Sequence, residues 1–281
     1  MKKIAIIGIE STHAQAYLKY IKEDERFCNM EIAGIYSDEG DVAETFAQKY
    51  GVRNMENYFD VAGQVDGAII CSRRGSTHYK YALPYIRGGA VMLIDKPTTQ
   101  SVEDATALAN ELERVSAKVT GGSILLHDPI VKQLKVVARE NQSLLGGLVK
   151  APIFTNSKYE GFFFYAQHLV DIVCAVFGYD PINVSAQKDG DEIKVTFDYG
   201  VLSCTGIYKE RSDVFYAELS TVNGTLGGRI AENGLNTLLW ESFDEFCALL
   251  TDGKNPKPHS ELIAPVFIMN KIISSLNDAR N

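Results

Sequence analysis

The chain has 281 residues, of which 46% are hydrophobic and 23% charged, a composition typical of a globular protein long enough for two modest domains. Disordered and fibrous classes are excluded. The formal net charge is -8, from 28 Lys and Arg against 36 Asp and Glu, and no basic run exceeds two residues. This balance argues against nucleic acid and anionic membrane surfaces as partners.

Neither a signal peptide nor a membrane span is expected. The apolar run that follows Lys2 and Lys3 is interrupted by Glu10 before it reaches the length of a signal-peptide core. No later stretch approaches about 18 consecutive apolar residues, the length that indicates a membrane helix. We therefore expect a cytoplasmic protein.

The cysteines have mostly apolar neighbours and no CxxC spacing, so we expect reduced core residues. Cys71, which stands where a strand is about to leave its sheet, is read in the same way, as a plain buried thiol. No cluster of His, Cys and Asp has metal-ligand spacing, and no metal is expected. The five cysteines are Cys28, Cys71, Cys174, Cys204 and Cys247.

The first 120 residues alternate short apolar runs, typical of buried strands, with amphipathic helical patterns. The intervening helices are predicted to begin at Ser11 or Thr12, to stop at Gly51, to bend or end near Pro84 and to begin again after Ser101. This alternation predicts an α/β fold with a doubly wound parallel sheet and helices on both faces. The strand runs are "IAIIGI", "EIAGIYS", "DGAIICS" and "AVMLID".

After residue 120 the pattern changes. Two helical segments, "DPIVKQLKVVAREN" and "FYAQHLVDIVCAVFG", are followed by strand-like runs with hairpin signals at Asp189–Gly190 and Asn223–Gly224. We predict a first domain over residues 1–120 and an α+β second domain with a mainly antiparallel sheet over residues 121–281. Two closing helices end the chain, and they are expected either to stay with the second domain or to pack back on the first.

The first strand leads into a turn, "GIESTH", that only partly matches GxGxxG. Gly8 matches the first glycine, whereas Glu10 and His13 replace the other two, and a carboxylate here would repel a pyrophosphate at a helix N-terminus. The alternative is that Gly8 only makes the turn and Glu10 points to solvent. The cofactor-binding candidates in this turn are Gly8, Ile9, Ser11, Thr12 and His13.

The second strand ends in Ser37 and Asp38, at the position where a dinucleotide fold has an acidic residue for the adenosine ribose. Asp38 favours NAD because its charge repels a 2′-phosphate, while Ser37 tolerates either cofactor. The alternative is that Asp38 is an ordinary loop residue.

The third strand ends in "CSRRGSTH", which contributes Ser72, Arg73 and His78 as cofactor-binding candidates. An arginine here can pair with a phosphate or a substrate carboxylate. We expect at most one of Arg73 and Arg74 to face a ligand, since adjacent side chains rarely point the same way. His78 is either functional or packs in the first turn of the following helix.

The fourth strand ends in "IDKPTT", the most specific local signal in the chain. A residue before proline is restricted to extended conformations, so Lys96 is held in a fixed geometry by Pro97. A lysine in this position can polarise a carbonyl or an alkoxide. Asp95, Lys96 and Pro97 complete the cofactor-binding candidates.

The turn, "DGAII" with "STH", "GGAVMLIDKP" and "QHLVDIVCAVFG" occur in the order found in the Gfo/Idh/MocA family, which this chain resembles over most of its length. The resemblance implies a Rossmann domain that binds NAD or NADP, a lysine from an EKP-like motif and a histidine from a DxxxH motif. Lys96 and His168 match these two residues, while the aspartate of the second motif falls on Phe164. The resemblance also implies a small-molecule substrate, such as a sugar or polyol, and a homo-oligomer, either dimer or tetramer.

Asp171 lies three residues after His168 on the same helical face, so it is expected to orient the imidazole in place of the missing aspartate. The alternative is a His–Asp pair that only fastens the helix to the sheet. As an oxidoreductase, the protein would use His168 to take a hydroxyl proton while hydride leaves for the nicotinamide, and Lys96 to stabilise the charge on oxygen. The competing hypothesis is a non-catalytic relative that kept the fold but lost cofactor chemistry through Glu10 and Phe164.

Overall fold

A computed structural model describes residues 1–140, 143–254 and 256–278. The chain divides into two compact units, the first made by Met1–Gly122 with Ser242–Ile263 and the second by Ser123–Glu241 with the rest of the chain. Within the described ranges, no helix has the length and apolar character needed to cross a membrane.

The first unit is built on a five-stranded sheet with the order β2-β1-β3-β4-β5, in which every pair of neighbours is parallel. The first four strands are short and mostly apolar, as expected for strands that are covered on both faces. Because the strand order reverses between β1 and β3, right-handed crossovers place helices on both faces. The predicted doubly wound sheet is confirmed. The strands are Lys2–Ile7 (β1), Met30–Tyr36 (β2), Gly67–Ile70 (β3), Val91–Asp95 (β4) and Val119–Gly122 (β5).

Four helices follow the first four strands of this sheet. Ser11 caps the first helix, Gly51 ends the second in a left-handed conformation, and Ser101 caps the fourth, as predicted. The third helix does not end at Pro84, because it runs on for three more residues to Arg87. The helices are Thr12–Glu23 (α1), Gly40–Tyr50 (α2), Gly75–Arg87 (α3) and Val102–Arg114 (α4).

The second unit contains a six-stranded sheet with the order β11-β10-β6-β9-β8-β7. Among its described residues, β6 and β9 pair in parallel and the other four neighbouring pairs are antiparallel. Helices α5 and α6 pack against these strands. Asp189–Gly190 and Asn223–Gly224 lie at tight antiparallel connections, which confirms both hairpin signals. The elements are Pro129–Glu140 (α5), Leu144–Ile153 (β6), Phe163–Phe177 (α6), Asn183–Asp189 (β7), Glu192–Asp198 (β8), Ser203–Glu210 (β9), Phe215–Thr221 (β10) and Gly224–Ile230 (β11).

Two helices close the chain, Asn236–Asp252 (α7) and His259–Asp278 (α8), and each contributes residues to both units. In the first unit, the ring of Phe243 on α7 stacks on Tyr17 at 5.4 Å between centroids and meets Phe27 edge-on at 4.9 Å. Aromatic contacts of this kind stabilise a core beyond the burial of their area.

The expectation that all five cysteines are core residues is wrong for Cys28, which is exposed, and holds for the other four. Cys28 follows a short 3₁₀ helix, Glu25–Phe27, in which Phe27 takes the buried position. Burial raises the pKa of the Cys71 thiol well above its usual value, so it stays protonated and acts as a small hydrophobic group.

Gly8 lies at the closest approach between the β1 turn and the end of β3. Its φ is +94°, and a Cβ on it would stand 2.2 Å from the backbone nitrogen of Ser72. We expect Gly8→Ala to lower the free energy of unfolding. Backbone strain alone accounts for about 1–3 kcal/mol, and the steric conflict with Ser72 adds to it. Urea denaturation measures this loss.

Gly51→Ala is the matched control, because Gly51 also has a positive φ, +61°, but has no atom within 4 Å of the added Cβ. It should lose less stability than Gly8→Ala. Equal losses in the two variants would contradict a packing role for Gly8.

Candidate functional site

The turn after β1 is fastened to the end of β2. The backbone N–H groups of Gly8 and Ile9 both donate to the carbonyl of Tyr36, at 2.8 and 3.1 Å. The Gln15 side-chain amide donates back to the carbonyl of Ile9 at 3.1 Å. The backbone of this turn is therefore fixed by hydrogen bonds from both sides.

Glu10, the residue in place of the second glycine, points inward. The residue is only 9% exposed, its Oε2 accepts a hydrogen bond from the Ser37 hydroxyl at 2.6 Å, and its Oε1 accepts from the Arg73 backbone N–H at 3.2 Å. The carboxylate thus joins the residues that follow β2 and β3. The alternative in which Glu10 points to solvent is wrong, because two donors in neighbouring loops hold it.

The N-terminus of α1 directly follows this carboxylate. The Ser11 hydroxyl accepts from the backbone N–H of His13 at 3.3 Å, and Thr12, the first residue of the helix, is exposed. The end of a helix where N–H groups point outward carries partial positive charge and favours anions.

His13, in place of the third glycine, pairs with the aspartate of the DKP segment. Its Nδ1 lies 2.9 Å from Oδ2 of Asp95, whose side chain is buried. Burial by itself acts to raise the pKa of Asp95, but the charge and hydrogen bond of His13, together with the charge of Lys96, hold that pKa below its usual value. The modified turn and the DKP segment are therefore joined by a hydrogen bond between His13 and the buried Asp95.

Lys96 is buried at the end of β4, with 9% of its surface exposed. Burial lowers its pKa, while the neighbouring Asp95 carboxylate acts in the opposite direction. Pro97 packs against the first residue of α3, because a Cβ on Gly75 would lie 2.4 Å from Cγ of Pro97. The segments after β3 and β4 therefore pack directly against each other.

Asp38 is held by two tyrosines that the sequence interpretation missed. Its Oδ1 accepts from the Tyr36 hydroxyl at 2.7 Å, and its Oδ2 accepts from the Tyr81 hydroxyl of α3. Burial and this hydrogen bond raise the pKa of Tyr36 to about 12, so the phenol remains a donor at neutral pH. Asp38 is thus an exposed carboxylate in a fixed orientation.

His78 and the two arginines lie after β3. His78 is fully buried, with its Nε2 2.7 Å from the carbonyl oxygen of Ser72, which matches the expectation that it packs in the first turn of α3. Arg73 is half-buried and Arg74 exposed. The backbone N–H of Arg73 donates to the Glu10 carboxylate, and the backbone N–H of Arg74 donates to the Ser72 hydroxyl at 3.3 Å.

His168 and Asp171 both lie on α6 in the second unit, and Ser123 connects them. The Ser123 hydroxyl lies 2.6 Å from Nδ1 of His168, and the Ser123 backbone N–H donates to Asp171 Oδ2 at 2.7 Å. The Gln167 side-chain amide also donates to Asp171, at 3.2 Å. Asp171 therefore supports His168 through Ser123, a residue that helical spacing alone could not identify because it precedes the 3₁₀ helix Ile124–His127.

Aromatic rings surround the His168 imidazole. Tyr165 meets it edge-on at 4.9 Å and Phe215 at 5.6 Å between centroids. Phe164, at the position of the family's aspartate, packs against Tyr159 and Tyr165 instead. Burial raises the pKa of Tyr165, so this phenol stays protonated at neutral pH.

A family model described as an oxidoreductase family with an NAD-binding Rossmann fold (GFO_IDH_MocA) matches residues 2–123. The chain is also 30% identical over 156 residues to glucose-6-phosphate 3-dehydrogenase of Bacillus subtilis (strain 168). This match covers 54% of the chain and 42% of that protein, so it spans about two fifths of the relative's length.

Solved structures share the fold over nearly the whole chain. Myo-inositol 2-dehydrogenase from Lactobacillus plantarum has a TM-score of 0.84 at 14% identity, with 99% of this chain and 98% of that chain covered. GenD2 from gentamicin A biosynthesis, in complex with NAD, has a TM-score of 0.83 at 13% identity, with 99% and 95% covered.

The buried pair of His13 and Asp95 makes a pH-dependent contribution to stability. Because the pKa of Asp95 lies below its usual value, the contribution is present above the unfolded-state pKa of about 3.9 and is lost as the pH falls through the folded-state pKa. We expect His13→Ala to lower the free energy of unfolding at pH 7 by about 1.5–3 kcal/mol, the range for a hydrogen bond to a charged group. Urea denaturation between pH 7 and pH 3 should show this difference shrinking below about pH 4.

His259→Ala provides the control, since the Nε2 of His259 lies 2.9 Å from a neutral partner, the Ala117 carbonyl. Its loss of stability should not shrink in the same acid range. A loss of stability in His13→Ala that is constant from pH 7 to pH 3 would contradict an interaction of His13 with the ionised Asp95.

Proposed function

We propose that this chain is a nicotinamide-dependent oxidoreductase of the Gfo/Idh/MocA family that acts on a polar hydroxyl or carbonyl compound, a proposal supported by the family match over residues 2–123. The observation that carries the proposal is the buried Lys96 at the carboxyl end of a parallel strand, beside the Asp95–His13 pair. Ligands of open parallel sheets bind at this edge.

The residues at this edge fit a nicotinamide dinucleotide. The N-terminus of α1, with exposed Thr12 as its first residue, suits the pyrophosphate. Asp38, fixed by two tyrosine hydroxyls, supplies a carboxylate that can accept hydrogen bonds from ribose. The chemistry that a bound nicotinamide supplies is the uptake or delivery of hydride at the substrate carbon.

The chain's own residues act on the substrate oxygen. Lys96 stabilises the charge that develops there, and burial lowers the pKa of its amine, which makes it a better proton donor. His168, which matches the histidine of the family's second motif, is a second candidate group for handling a proton or a hydrogen bond. Ser123 and Asp171 orient its ring, and the surrounding aromatic side chains exclude water.

We assign NAD rather than NADP as the cofactor. Two carboxylates, Glu10 and Asp38, lie at the end of β2, where the adenosine ribose binds in dinucleotide folds. They can accept hydrogen bonds from ribose hydroxyls but would repel a 2′-phosphate. Ser37 does not offset this charge, because its hydroxyl already donates to Glu10.

Calorimetric titration of NADH and NADPH tests this choice. We expect NADH to bind at least about tenfold more tightly than NADPH, a difference of about 1.4 kcal/mol. Glu10→Gln, which keeps the shape and removes the charge, should narrow the ratio by strengthening NADPH binding. Glu44→Gln, which removes an exposed charge from α2, should leave the ratio unchanged. A preference for NADPH in the wild type would overturn the assignment.

The substrate class is tested by turnover with a panel of sugars, polyols and sugar phosphates, including glucose 6-phosphate because of the Bacillus relative. For any substrate found, Lys96→Met should lower kcat by about 100-fold or more, the usual contribution of a positioned acid–base group. NADH binding by calorimetry should stay within a few-fold of the wild type, because the loss lies in the chemical step.

Lys22→Met, on the exposed side of α1, is the matched control and should retain wild-type turnover. Unchanged kcat in Lys96→Met would remove the catalytic assignment of this lysine. Tight NADH binding with no turnover across the whole panel would favour the non-catalytic hypothesis instead.

A further inference from the structure

The hydroxyl of Ser123 is fixed from several directions in the second unit. Ser123 is 2% exposed, its Oγ accepts from the backbone N–H of Leu125 at 3.2 Å and lies 2.6 Å from Nδ1 of His168. Its own N–H is held by the Asp171 carboxylate at 2.7 Å. The residue therefore has little freedom to turn its hydroxyl toward another partner.

The single proton of this hydroxyl decides the protonation pattern of the imidazole. A serine hydroxyl donates one hydrogen bond and accepts up to two. Ser123 Oγ already accepts one, from the Leu125 N–H. Over residues 1–140, 143–254 and 256–278, the sole acceptor within hydrogen-bond distance of Ser123 Oγ is Nδ1 of His168. A buried O–H left without an acceptor is unfavourable, so the proton is donated to Nδ1.

We infer that Ser123 is a positioning residue that holds the neutral His168 ring in the tautomer with its proton on Nε2. A ring nitrogen that accepts a hydrogen bond has no proton of its own, and the neutral imidazole then carries it on the other nitrogen. The ring thus presents a hydrogen-bond donor at Nε2. For Nε2 to accept a proton, the ring must first change to the Nδ1–H tautomer, and the Ser123 hydroxyl must turn to accept from it.

The consequence for catalysis rests on the proposed function. In the resting neutral form, His168 donates a hydrogen bond from Nε2 to the substrate oxygen, which suits a carbonyl or an alkoxide. Removal of a hydroxyl proton by His168 then requires the Ser123 hydroxyl to turn at the same time. The resting ring is therefore prepared to donate to a carbonyl oxygen rather than to take a proton from a hydroxyl group.

Long-range ¹⁵N–¹H correlation NMR on histidine-labelled protein, without cofactor or substrate and at a pH where the ring is neutral, reads the tautomer directly. The His168 signals are those missing from His168→Gln. We expect the Nε2–H form in the wild type and in Ser123→Thr, which keeps the hydroxyl. Ser123→Ala should shift the ring toward a mixture of the two tautomers.

An Nδ1–H ring in the wild type would overturn the inference, as would a folded Ser123→Ala variant with unchanged tautomer. If Ser123→Ala does not fold, the wild type and Ser123→Thr still decide between the two forms. This test can be separated from the test of the proposed function. If the protein shows neither NADH binding nor turnover but has the Nε2–H ring, the oxidoreductase is refuted and the tautomer assignment stands. Binding and turnover with an Nδ1–H ring would refute only this inference.

Discussion

Two carboxylates, those of Glu10 and Asp95, lie buried at the carboxyl edge of the five-stranded sheet, and each needs hydrogen-bond donors because a buried charge without partners is strongly unfavourable. Glu10 has the Ser37 hydroxyl and the Arg73 backbone N–H, and Asp95 has His13. These contacts connect the loops that follow β1, β2, β3 and β4. The arrangement of the proposed cofactor site therefore depends on how the chain compensates two buried charges rather than on the flexibility of a glycine-rich turn.

The same contacts explain why Gly8 is needed although the two later glycines are not. Its positive φ and its close approach to Ser72 are requirements of packing within the sheet edge, which hold whether or not a phosphate is bound. The second and third glycines of the usual motif serve the approach of a pyrophosphate and the packing of helix on strand. In this chain Glu10 and His13 occupy those positions and turn toward neighbouring loops, so the turn is ordered by side chains.

The fold followed from the sequence because its signals are local. Apolar runs between amphipathic segments predicted the parallel sheet, and the Asn223–Gly224 pair predicted a hairpin. Each of these signals depends on residues that are close together in the chain. The site was harder to predict because its contacts are distant in sequence: Glu10 reaches Arg73, and Ser123 reaches His168. Nothing in the spacing of Ser123 marks it, because its role arises only from its contacts with His168 and Asp171 on α6.

The two residues that replace glycines, Glu10 and His13, have a structural role of their own, and their presence is not merely the loss of a phosphate-binding turn. If Glu10 and His13 had only lost a function, their side chains would gain most by lying in solvent, where carboxylate and imidazole are well hydrated. Instead both are drawn inward, and His13 forms a hydrogen bond with an aspartate that belongs to the lysine-bearing segment. Restoring glycine at these positions would remove the partner of Asp95 and the acceptor of Ser37 together. The unusual turn and the DKP segment thus stabilise each other through the contact between His13 and Asp95.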